Sequence, residues 1–281
     1  VTTTPPSAPA FFVPDGETFV PTTIARGPWG ATVSGTYVGG LLGHIIERGV
    51  ERGTDADPEM HPARLTVDLM RPVTMAPVQT RSTVLRRGRR LWLVDAELLQ
   101  AGTVVARARA LFLRRGPEPV DDAWTSAVGM PPLPPDPAQI GNRTTVLWVF
   151  GGADGATPTA DLSGWQQNGP KSVWVREITP LIAGVELTPV VRAAIAGDYA
   201  SSLTNFGSTG LPFINADYTV SLSRLPDGPH LGLTALTHHA CDGVSTGVAA
   251  LFDHRGAIGN ATVTALANPG FTPRLSGAAG G

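Results

Sequence analysis

The sequence predicts an α+β fold in which one pattern is used twice, a long helix wrapped by an antiparallel sheet. Three observations carry this. Residues 66–73 read TVDLMRPV and residues 219–226 read TVSLSRLP, so both spell Thr-Val-x-Leu-x-Arg, 153 positions apart. Each copy is the first strand-like segment after a helical segment, and each opens a run of four strands. A proline-rich break separates the two runs. Self-similarity at a fixed offset signals a repeated structural unit.

The elements follow in order. Residues 1–17 (VTTTPPSAPAFFVPDGE) have no basic start leading into a long apolar stretch, so they do not read as a signal peptide; the expectation is a disordered or surface-draped arm. TFVPTTIARGPWG reads as a strand ending at a Gly/Pro turn. In ATVSGTYVGGLLGHIIERG, Val38, Leu41, Leu42, Ile45 and Ile46 recur at helical spacing. Gly49 and Gly53 are stop signals. The five glycines from Gly30 to Gly43 disfavour a helix, so their expected use is close packing of the helix backbone on a sheet. ARLTVDLMRPV, VQTRSTVLRRG, RRLWLVDAELLQAG and TVVARARALFLRRG alternate in the period of strands and are punctuated by turns. The first unit is thus expected at 18–116.

Residues 117–143 contain seven prolines with Pro117, from Pro117 to Pro137, and read as a linker. The second unit, 144–268, repeats the order. KSVWVREI is a strand. TPVVRAAIAGDYASSLTNFG is a helix with Thr188 as N-cap and Pro189 at its first position. FINADYTVSLSRLP, PHLGLTALTHHA, GVAALFDHRG and AIGNATVTAL are strands. The hairpins ELLQAGTVVARA (97–108) and ALFDHRGAIGNA (250–261) echo one another, and residues 269–281 read as a flexible tail.

Composition narrows the function. A hydrophobic content of 42% over 281 residues supports a large core. A net charge of −2 argues against nucleic acid or an anionic membrane as the main partner. No apolar run has the length of a membrane span. Cys241 is the one cysteine, which excludes an intrachain disulfide and fits a reducing, cytoplasmic setting.

Asp198 is the sharpest single feature. On a helix, Val191, Ile195, Asp198 and Ser202 share a face, which sets a carboxylate in the apolar stripe. Burial of a carboxylate is costly unless it is hydrogen-bonded or used. It either satisfies neighbouring polar groups or does chemistry.

A long helix wrapped by an antiparallel sheet is the hotdog pattern, and the tandem form resembles the acyl-CoA thioesterase II family, a double hotdog. Trp29-Gly30-Ala31-Thr32-Val33-Ser34-Gly35 matches in outline the family's aromatic-Gly-Gly-Gln opening of the first helix, and Met70-Arg71-Pro72 matches its Leu-Arg-Pro strand end. The resemblance implies an enzyme that hydrolyses fatty acyl-CoA to free acid and CoA in lipid metabolism, without a cofactor or metal. It implies that Asp198 activates the attacking water. Alignment on the repeated strand puts Asn215 at the family's threonine position. The family's last-strand glutamine falls on Val263, or on Thr264 with a one-residue slip, and no glutamine follows Gln167. Gly30 and Ala31 would supply helix N-terminal amides to the thioester carbonyl. The missing glutamine predicts slow turnover and leaves open a non-catalytic acyl-CoA binding protein. Sheet edges imply a homo-oligomer.

Other motifs are weaker. Gly243-Val244-Ser245-Thr246-Gly247 fits a nucleophile elbow, but the following segment reads as a strand, not the helix that elbow requires. His238 and His239 face opposite ways on a strand, leaving His239 and Cys241 as at most two metal ligands. His44 sits too far along its helix for a hydratase. Arg86-Arg87-Gly88-Arg89-Arg90 is a basic turn, either a solvated hairpin tip or a contact for the phosphates of CoA.

Overall fold

The computed structural model describes residues 9–51, 57–120, 123–125, 127–151 and 157–268. The expected tail at 269–281 and residues 1–8 lie outside them. Twelve strands form one antiparallel sheet: β1 (Phe12–Asp15), β2 (Thr18–Pro21), β3 (Met60–Asp68), β4 (Val78–Arg87), β5 (Leu91–Gln100), β6 (Thr103–Arg114), β7 (Thr145–Gly151), β8 (Lys171–Glu177), β9 (Phe213–Leu222), β10 (His230–Cys241), β11 (Val244–Asp253) and β12 (Gly256–Ala267). Among the described residues, two α-helices, α1 (Gly35–Glu51) and α2 (Pro189–Asn205), pack on it and on each other.

The strand order is β1-β2-β4-β5-β6-β3-β9-β12-β11-β10-β8-β7. Read outward from the β3–β9 junction, both halves run in the same sequence order. The irregularities repeat as well. Ala63 is the extra residue where β3 pairs β6, and Ala216 is the extra residue where β9 pairs β12. Val105 is extra in the β5–β6 hairpin, and Ile258 in the β11–β12 hairpin. Both pairs keep the 153-residue offset of the repeated strand. Bulges re-aim side chains and disturb the ladder, so they do not recur at matched places by accident of propensity.

The glycine expectation holds at Gly39. Tyr218 of β9 rises between the helices and donates to the Ala194 carbonyl of α2 at 2.8 Å. A methyl group at Gly39 would lie 1.6 Å from the Tyr218 hydroxyl oxygen. A side chain there and Tyr218 are mutually exclusive, which offsets the helix propensity that glycine gives up. Thr188 caps α2 as expected, accepting from the Val191 amide at 3.2 Å, with Pro189 opening the helix. α1 runs on past Gly49 to Glu51, because one glycine inside a packed helix costs less than ending it.

The expectation of a draped arm is corrected for residues 9–17. Phe11 and Phe12 are fully buried, Phe11 stacks on Tyr37 at 3.6 Å between ring centroids, and β1 pairs β2 along its length. Burying two adjacent phenylalanines outweighs the turn-forming prolines around them. Sequence reading also passed over β7, which pairs β8 and forms the sheet edge.

Candidate active site

The start of α1 and the middle of α2 meet around Asp198. Its Oδ2 accepts from the Thr36 hydroxyl at 2.7 Å and its Oδ1 from Asn215 Nδ2 at 2.9 Å. The Ser34 hydroxyl donates in turn to Thr36 Oγ1 at 3.1 Å. The Thr36 amide adds a backbone hydrogen bond to the carboxylate. Thr36 belongs to the first turn of α1, so the carboxylate sits at the positive end of that helix, among amides with no partner inside it.

Gly35 makes this approach possible. A β-carbon there would lie 3.0 and 3.3 Å from the two Asp198 oxygens and 3.2 Å from Leu69. Burial raises the Asp198 carboxyl above the ordinary aspartate range, and the bonds from Thr36 and Asn215 pull it back. Asp198 is therefore a stronger base than an exposed aspartate, yet is held by donors that favour its ionised form.

The other expected site residues are placed differently. Thr264 is exposed and does not join Asp198: its amide and hydroxyl both donate to Asp217 Oδ1, at 2.7 and 2.5 Å. Val263 is buried opposite Tyr218. Because Ala216 is a bulge, the residue across from Asn215 is Ala265, buried on the helix side of the sheet. Gly30 and Ala31 are not at a helix N-terminus. They lie in a turn four to five residues before α1, closed by the Gly27 amide on the Thr32 carbonyl at 2.8 Å, with Gly30 at φ 104°. Thr36, and Ser34 behind it, were missed; the signal was a Ser-x-Thr at the start of a helix, a capping pattern.

At the far end of the helix pair the relationship recurs. Glu47 of α1 accepts from Thr188 at the start of α2 at 2.5 Å, and burial raises Glu47 to about 7. Nearby, an apolar space lined by Gly43, Ile46, Leu65, Phe112 and Val190 holds about 20 Å³, room for one water and not for an acyl chain.

Motifs given less weight on sequence take structural places. Ser245 is inside β11, buried, and donates to Asn205 Oδ1 at 2.7 Å. The His238 ring meets Phe213 edge-on, and Cys241 is exposed. No helix among the described residues is long and apolar enough to cross a membrane.

With this geometry in hand, residues 25–113 match the acyl-CoA thioesterase N-terminal domain. No curated protein matches the sequence. Solved structures match nearly end to end. The tesB protein MAP1729c of Mycobacterium avium subspecies paratuberculosis is 13% identical, with 92% of this chain and 96% of that one covered and a TM-score of 0.63. The acyl-CoA thioesterase II TesB2 of Mycobacterium marinum is 15% identical over 92% and 96%, with a TM-score of 0.60. A hot dog fold protein of unknown function from Alicyclobacillus acidocaldarius is 15% identical over 92% and 96%, with a TM-score of 0.61. At such identities the likeness shows the hotdog fold. The chain resembles the acyl-CoA thioesterase II family.

Proposed function

We propose that the protein is an acyl-CoA thioesterase made of two hotdog units, 18–116 and 144–268, that hydrolyses fatty acyl-CoA to the free acid and CoA. The observation that carries this reading is a half-buried carboxylate, Asp198, gripped by Thr36 and Asn215 at the start of a helix. Ionised Asp198 takes a proton from water as the water oxygen bonds to the thioester carbon. Asn215 orients the water, since its amide has both a donor and an acceptor. The Gly35 amide, rather than those of Gly30 and Ala31, polarises the carbonyl, as it opens α1 and has no side chain to block approach. The C–S bond then breaks and the proton passes from Asp198 to the departing CoA thiolate.

Ala265, not Thr264, stands where a third polar group would reach this water, so turnover is slow. The acyl chain enters by displacing apolar side chains between helix and sheet. The protein acts in the cytoplasm as a homo-oligomer through its β1 and β7 edges. The experiment is release of free thiol from acyl-CoAs of increasing chain length, beside equilibrium binding of the same ligands. Binding without release at every length would replace the enzyme with a binding protein.

A further inference from the structure

Six of the 21 basic residues gather at one corner of the sheet. Arg86 and Arg87 end β4, Arg89 and Arg90 lie in the β4–β5 turn, Arg114 ends β6 and Arg115 follows it. All six are exposed. Arg89, Arg90, Arg114, Arg115, Gly116 and Pro117 line one open groove of about 740 Å³, within the range of small-molecule sites.

The fold forces these cations together. The Arg114 amide donates to the Arg90 carbonyl at 3.0 Å, and the Arg114 guanidinium to the Arg89 carbonyl at 2.6 Å. The Arg115 amide is tied to the Glu59 carbonyl at 2.8 Å. Two carboxylates are near: Asp57, which pairs with Arg114, and Glu59. Arg87 lies over the Trp92 ring at 4.4 Å. A solvated hairpin tip spreads its charges outward. Here two separate elements aim theirs into one concavity, where like charges repel unless an anion fills it. Guanidinium groups match phosphate oxygens in pairs, which lysines or a diffuse charge do not.

The groove is remote from Asp198. Arg114 pairs with Met60 at one end of β3, whereas Leu69, just past the other end, packs beside Gly35 and Asp198. The eight residue steps from Met60 to Asp68 span roughly 26 Å.

We propose that this groove binds a small soluble ligand carrying two or more linked phosphates, at a site separate from the one around Asp198. The proposal goes beyond the thioesterase reading and does not depend on it. Pyrophosphate, ATP and CoA are titrated calorimetrically into the full chain, the Arg89→Glu/Arg90→Glu and Arg89→Gln/Arg90→Gln variants and Asp198→Asn. Circular dichroism checks that each variant folds. The expected result is binding of pyrophosphate and ATP that weakens about tenfold or more in both arginine variants and is unchanged in Asp198→Asn. Acyl-CoA KM and kcat stay at parent values in the arginine variants. No binding of pyrophosphate or ATP by the parent up to about 1 mM overturns the proposal, as does equal binding by parent and arginine variants. A raised KM in the arginine variants would put the groove on the substrate path and overturn its separateness. Arginine-dependent sedimentation with phosphatidylglycerol vesicles, without pyrophosphate binding, would make it a lipid-surface contact instead.

Discussion

Thr66 and Thr219 are direct neighbours across the β3–β9 junction, and the Thr219 hydroxyl donates to the Thr66 hydroxyl at 3.0 Å. The same letter of the repeated strand thus meets itself where the two halves join, as an approximate two-fold relation requires. The flanking pairs, Arg64 with Ser221 and Asp68 with Asp217, are exchanged for one another by the same 153-residue offset. A double-mutant cycle with Thr66→Val and Thr219→Val, read by urea unfolding, should give a coupling of about 0.5–1 kcal/mol. Strict additivity would mean that the hydroxyl contact is not formed in solution.

Thr36 should matter for rate as much as Asn215. Thr36→Val removes one of the two side-chain donors that favour ionised Asp198, while Thr36→Ser keeps it. Losing a positioned donor commonly costs roughly 10²–10³ in rate. Thr36→Val should therefore lower kcat by about that factor, with Thr36→Ser near the parent. It should also shift the acid limb of the pH–rate profile upward, since burial then acts with less opposition. Equal effects from Val and Ser would point to packing instead.

The parent profile has a sign fixed by the same residue. On the proposed mechanism Asp198 acts ionised, and burial raises its carboxyl, so activity should fall on the acid side at a pH above that of an ordinary aspartate. Steady-state kcat/KM across pH reads this limb, which Asp198→Asn should not show.

Glu177 of β8 gives a stability prediction. Burial raises it to about 7, against hydrogen bonds from Thr145 and Tyr199 and the attraction of Arg192. Its folded value lies above its unfolded value of 4.5, so the folded state binds more protons between them. This contribution to stability is full below 4.5, falls as pH rises and is gone above about 7. Glu177→Gln should flatten that decline, which is worth at most about 3 kcal/mol. Denaturation midpoints at several pH values between 4 and 8 would show an unchanged slope if Glu177 is not the group responsible.

Much of the architecture was legible, because alternation, the Thr188 cap and the repeated strand are local signals. Phe11 and Phe12 were misplaced because prolines nearby suggested a loop, although two adjacent phenylalanines are themselves a signal of burial. The site was legible only where a helix face sufficed: Asp198 interrupts an apolar stripe. Thr36 reaches it from 162 residues away, a contact no local pattern encodes. Thr264 was misread for a different reason. Counting along a strand assumes strict alternation, and the Ala216 bulge shifts the cross-strand partner of Asn215 to Ala265.

That correction is itself testable. Ala265→Gln should raise kcat by placing an amide beside Asn215, at some loss of thermal stability because the position is buried. Thr264→Gln, on the outer side with Asp217, should leave kcat unchanged. A gain from Thr264→Gln alone would reverse this assignment.

The central claim is that Asp198 activates water. Its most direct test is single-turnover hydrolysis of an acyl-CoA by the parent and by Asp198→Asn, beside binding of the same ligand. Asparagine keeps the shape and accepts no proton, so hydrolysis should disappear while affinity changes little. Hydrolysis by Asp198→Asn at the parent rate would make Asp198 a structural partner of Thr36 and Asn215 and contradict the account.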